Sequence, residues 1–131
     1  MNQRDAFLKE FRGPTLGTVT PQSSADELFQ NEVLRPILKL QNDLFIVSFL
    51  NYTSKNHIDF NAHSIEKRMT IIDNAIQKDI KFRNSLKGMI IGLFTAEEYA
   101  SYIKNSSSLN KRMMGMLIER LKSQIQLFET I

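Results

Sequence analysis

An all-α fold, a single-domain bundle of about five helices, is what this sequence predicts, and three observations predict it. Apolar residues recur at steps of three and four through most of the chain; capping residues stand ahead of such runs at Ser24, Ser64 and Thr95; and no stretch alternates apolar with polar residues as a half-buried strand does. The length of 131 residues suits one domain, and 42% apolar with 24% charged residues is the composition of a folded chain.

The elements follow in order. Residues 4–11 predict a short helix. "RGPTLGTVTPQSS" then gathers two glycines and two prolines without an apolar period, so residues 1–23 are set apart as a short helix and flexible arm, and residues 24–131 as the bundle. Ser24 opens the next helix: its hydroxyl is placed to accept from the backbone of Glu27, whose carboxylate reaches back, while Asp26 and Glu27 complement the helix dipole. From there Val33, Ile37, Leu40, Leu44 and Val47 repeat as a helix seam. Pro36 kinks or breaks that helix, biasing Arg35 away from helical angles, or else starts a second one. "LFIVSFLNY" is apolar all round, which places it centrally in the bundle or at a subunit interface; a strand is its rival reading.

After the loop "SKNHIDFNAH", Ser64 caps a helix with Ile65, Met69, Ile72 and Ile76 as its apolar positions. Phe82, Leu86, Met89, Ile90 and Leu93 continue the spacing with a phase slip near Asp79, so residues 65–94 are one bent helix or two. In "KGMIIGLFTAEEY", Gly88 and Gly92 share a face that permits close approach of another helix, with Gly115 of the last helix as the candidate neighbour. Thr95 and Glu98 form a capping box, with Phe94 and Tyr99 as a hydrophobic staple. A final helix from about Ser108 carries Met114, Leu117, Ile118, Leu121, Ile125 and Phe128 on one broad face.

Several functions are excluded or disfavoured. Without cysteine there is no disulfide, Cys-ligated zinc site or thiol nucleophile. The N-terminal residues carry charges where a signal peptide needs an apolar run, and no apolar stretch approaches the ~20 residues of a spanning helix. The expectation is a cytoplasmic protein with no membrane partner. The net charge of +3 comes from the C-terminal half, where residues 64–131 hold eleven of the seventeen Lys and Arg. That excess is too small and too scattered to favour nucleic acid. The basic run Lys78, Lys81, Arg83 and Lys87 reads as the wet face of a bundle helix, and Met113, Met114 and Met116 as core filling. Nothing matches a nucleotide or cofactor loop, so no cofactor and no catalytic residue is nominated.

Three candidate sites remain. His57, Asp59 and His63 supply two imidazoles and a carboxylate in one loop, the donor set of a facial metal triad. Ser107, Ser108, Lys111 and Arg112 combine hydroxyls, cations and a helix start, the elements of a phosphate or carboxylate site. Leu44, Phe45, Ile46, Val47, Phe49 and Leu50 form the candidate interface with a protein partner or a second copy in a homo-oligomer.

The segments "NEVLRPILKLQNDLF", "NAIQKDIKFRNSLKGMIIGLFTAEEY" and "SSLNKRMM" resemble those of a family of short bacterial helical proteins, some members of which are called glyoxalases. The resemblance spans residues 30–128 and carries over no catalytic residue. The leading functional expectation is therefore association, of the chain with itself or with another protein. The alternative is a small-molecule or anion-binding protein, or a metal-dependent enzyme of the glyoxalase kind.

Overall fold

The fold is all-α in a computed structural model that describes residues 2–17, 20 and 23–129, with nothing described of the Glu129 side chain. Eight helical segments, α1 (Gln3–Arg12), α2 (Ala25–Phe29), α3 (Arg35–Leu40), α4 (Asn42–Lys55), α5 (Ile65–Lys78), α6 (Ile80–Ile91), α7 (Ala96–Tyr102) and α8 (Ser106–Ser123), surround one core, and no strand occurs among the described residues. Part of the expected arm, at residues 18, 19, 21 and 22, lies outside the described residues.

Pro36 is accommodated by a local change of helix type. A π turn, Gln30–Leu34, joins α2 to α3, and the Arg35 N–H donates to the Gln30 carbonyl five residues back. Proline has no N–H to give and its ring crowds the carbonyl four residues earlier, so widening the helix just ahead of it relieves both problems. Arg35 keeps helical angles, φ −61 and ψ −47, against the expected bias.

The expected seam is corrected by the turn at Gln41, whose φ of −91 and ψ of 6 interrupt the rod and reset its phase. Leu34, Ile37 and Leu38 before the turn, and Phe45, Ile46 and Phe49 after it, are buried, while Leu40, Leu44 and Val47 face outward. "LFIVSFLNY" is helical and central. Phe49 meets Phe60 edge-on at 5.3 Å and Phe128 at 5.4 Å, so the loop before α5 and the last described turn close on the middle of α4.

Residues 65–94 are two helices. Asp79 ends α5 and caps α6, its carboxylate accepting from the Phe82 N–H at 3.1 Å. Ser64 caps α5 and Thr95 with Glu98 makes the full capping box of α7. Ser24 accepts from the Glu27 N–H, but Glu27 returns the contact to the serine hydroxyl at 3.3 Å instead of to its backbone. On α5, Ile72, Ala75 and Ile76 are buried whereas Ile65 and Met69 are exposed.

Two further expectations are overturned at the corner between α6 and α7. Among the described residues, a Cβ at Gly88 or Gly115 would meet nothing within 4 Å, and one at Gly92 only the Gly88 carbonyl, so no described helix approaches through these glycines. Phe94 packs edge-on against Tyr102 at 5.6 Å, and the largely exposed Tyr99 also meets Tyr102, at 5.7 Å, with no ring contact between Phe94 and Tyr99 among the described residues.

What holds this corner is α1. Arg4 donates to the Gly92 and Phe94 carbonyls, and Arg12 to the Leu93 carbonyl, so two guanidinium groups satisfy the three carbonyls that follow α6. Asp5 accepts from the Ala96 N–H at the start of α7, and Arg12 clasps Glu98 through both carboxylate oxygens at 2.6 and 2.7 Å. Leu16 then donates its N–H to the Asn31 carbonyl, where Gly17 adopts φ +93.

Candidate functional site

The start of α8 is the most elaborated of the three candidates. α2 crosses it and delivers Asp26, whose Oδ2 accepts from the Ser108 hydroxyl at 2.6 Å and whose Oδ1 accepts from the Asn105 amide at 2.7 Å. Arg112 Nε stands 3.9 Å from the same carboxylate, and its Nη1 donates to Gln30 at 2.9 Å. The Ser108 hydrogen bond, then that of Asn105 and the Arg112 charge, hold the Asp26 carboxyl below its ordinary value against the effect of its partial burial. This is chemistry for an oxyanion, and the chain supplies the oxyanion itself.

Of the four residues expected there, Ser108 and Arg112 meet at Asp26, while Ser107 and Lys111 do not join them. Ser107 is exposed. Lys111 belongs to a separate groove of about 330 Å³ shared with Gln77, Arg83 and Met114, on another side of α8.

The loop 56–64 is ordered by its neighbours. His57 takes φ +55 and donates its N–H to the Ser54 carbonyl, Ile58 donates to the Thr53 carbonyl, and Phe60 is buried against Phe49 and Phe128. Asn61 donates to the Phe128 carbonyl and Arg68 to the Asn61 and His63 carbonyls. These bonds fix the backbone and leave His57, Asp59 and His63 exposed; no three His or acidic side chains converge among the described residues.

The third candidate divides. Phe45, Ile46 and Phe49 are core residues of this chain, Leu50 packs partly against them, and only Leu44 and Val47 remain available to another molecule. Leu40, just before the turn at Gln41, is likewise exposed.

A cleft between α4 and α6 had no signal in the residue pattern. Tyr52 stacks on Phe82 with ring centres 4.3 Å apart, above a groove of about 330 Å³ that also includes Lys55, Lys81 and Met89. Burial, together with the charge and hydrogen bond of Asp79, pushes the Tyr52 phenol up, so it stays protonated near neutral pH. Of the basic run, Lys78 and Lys81 are exposed while Arg83 and Lys87 are half-buried.

No family model, no curated protein and no solved structure matches the chain. No helix among the described residues is long and apolar enough to cross a membrane.

Proposed function

We propose that this protein works by association, with a second copy of the chain as the occupant of the outer face of α3 and α4. One observation carries the reading: Leu40, Leu44 and Val47, spaced by four and three, are 36%, 43% and 57% exposed in a row. The opposite side of the same helices is committed to the core, and these three side chains stay exposed among the described residues. Apolar residues scattered singly on a surface are ordinary, but Leu44 and Val47 lie one turn apart on α4 with Leu40 close before them in the chain, and exposed apolar residues grouped in this way are what another helix covers. A two-fold contact needs only one self-complementary patch, which is why a second copy is the simplest partner.

The face is small, so the complex expected is weak and dependent on concentration, below the ~1,200 Å² of buried surface typical of stable interfaces. Light scattering on a size-exclusion column tests it. The mass should rise toward a dimer at high micromolar concentration, and Leu44→Asp with Val47→Asp should return it to monomer without loss of melting temperature. A monodisperse monomer throughout that range removes self-association.

A further inference from the structure

A groove of about 820 Å³ lies where Leu16 of the segment after α1, α3 and the C-terminal half of α8 meet. Leu16, Leu38 and Met116 supply its apolar lining, and Arg35 and Arg120 enter it from opposite helices. Two cations sharing one groove repel each other, and a fold ordinarily sets an acid between them. Here no carboxylate lies within ion-pair distance of either guanidinium among the described residues, although Glu119 borders the groove.

Both arginines are nevertheless held in place. Arg35 Nε donates to Asn31 Oδ1 at 2.8 Å. Asn42 and Gln124 exchange amide hydrogen bonds, each 2.7 Å, and Arg120 Nη1 leans on Asn42 Oδ1 at 3.4 Å. One donor of each guanidinium is thus engaged by a neutral amide, and the others have no partner among the described residues. Burial, and then the charge of Arg35, lower the proton affinity of Arg120, which is the mark of an uncompensated cation.

We propose that this groove binds a small molecule made of an oxyanion, a carboxylate or a phosphate, on an apolar body. The oxyanion sits between the two guanidinium groups, whose planar forks match its geometry, and the apolar body covers Leu16, Leu38 and Met116. The volume is that of sites for compounds of ordinary ligand size. Gly115 borders the groove with nothing within 4 Å of where its Cβ would be, so the helix leaves room there.

Isothermal titration of the whole chain with octanoate, octyl phosphate and octyltrimethylammonium tests the proposal. Both anions should bind saturably with Kd below about 1 mM, and the cation should not. Arg120→Gln and Arg35→Gln should each weaken binding about tenfold or more, because each removes a charge-assisted contact. Gly115→Leu should block the groove while adding helix propensity, and Lys111→Gln, in the other basic groove, should bind as the parent does. Melting curves check each fold, with Arg120→Gln expected to melt no lower than the parent. The proposal is overturned if neither anion saturates, if the cation binds equally, or if a folded Arg120→Gln binds undiminished.

Discussion

Replacing Arg12 with methionine tests what fastens α1 to the bundle. The Arg12 side chain is 4% exposed and that of Glu98 13%, so the pair is buried and bidentate, unlike a surface ion pair worth a few tenths of a kcal/mol. Methionine fills the stem of the site but leaves the Glu98 carboxylate with only the Thr95 contacts and strips the Leu93 carbonyl of its donor. Removing one partner of such a pair costs about 3–5 kcal/mol. For a domain of this size, with an unfolding entropy near 2.1 cal/mol/K per residue, that lowers Tm by roughly 11–18 °C. Thermal melting by circular dichroism measures it.

The double variant Arg12→Met with Glu98→Gln should recover at least about 1 kcal/mol, because the orphaned charge is gone while the amide oxygen still accepts from Thr95. The buried Arg12 Nε, which has no hydrogen-bond partner among the described residues, offsets part of what the parent gains. Acid supplies a second readout. Burial pushes the Glu98 carboxyl up, but the Arg12 and Thr95 hydrogen bonds and the Arg12 charge outweigh it and hold it below its ordinary value. A carboxyl depressed in the folded state stabilises fully above its unfolded value, and that stability is lost as pH falls through the folded one. The parent should therefore lose stability more steeply than Arg12→Met as pH falls through and below the ordinary glutamate range. A cost below about 1 kcal/mol, or no recovery in the double variant, refutes the account of α1 as an electrostatic clasp.

Three other outcomes are expected. Gly88→Ala should raise stability by about 0.5–1 kcal/mol in urea titration, since its Cβ meets open space and the helix gains propensity; a loss would restore the idea of a close helix contact. Gly17→Ala should cost about 1–3 kcal/mol by the same assay, because φ is +93 and the new carbon would lie 2.7 Å from Asn31 Oδ1, displacing the amide that holds Arg35. Ser108→Ala should raise the Asp26 pKa toward its ordinary value in a carbon-detected NMR titration, and an unchanged value would mean that Asn105 and Arg112 set it without the serine.

Local features were legible in the sequence and distant ones were not. The caps at Ser24, Ser64 and Thr95 are written within four residues, so their chemistry is complete in the local sequence. The reversal of Leu40, Leu44 and Val47 from core to surface depends on a turn at Gln41 that has no glycine or proline to announce it. Phe45 and Phe49 then take the inner positions by size. Arg4, Asp5 and Arg12 look like any charged surface residues in sequence, since the groups they bind lie 81 to 91 positions away. Arg112 near the start of α8 is met by a carboxylate, and that this is Asp26, far earlier in the chain, only the packing of α2 decides.

The π turn at Gln30–Leu34 has a consequence in angular phase. It holds one residue more than an α-helix would use, so it rotates α2 by about 100° relative to α3. That rotation is what aims Asp26 and Gln30 at α8. Deleting a single residue within the turn would restore a plain helical register and swing the carboxylate off Asn105 and Ser108, without altering any surviving side chain. Asn105, Ser108 and Arg112 would then lose the carboxylate that joins them, so one residue of chain length decides whether α2 and α8 are tied together by charge.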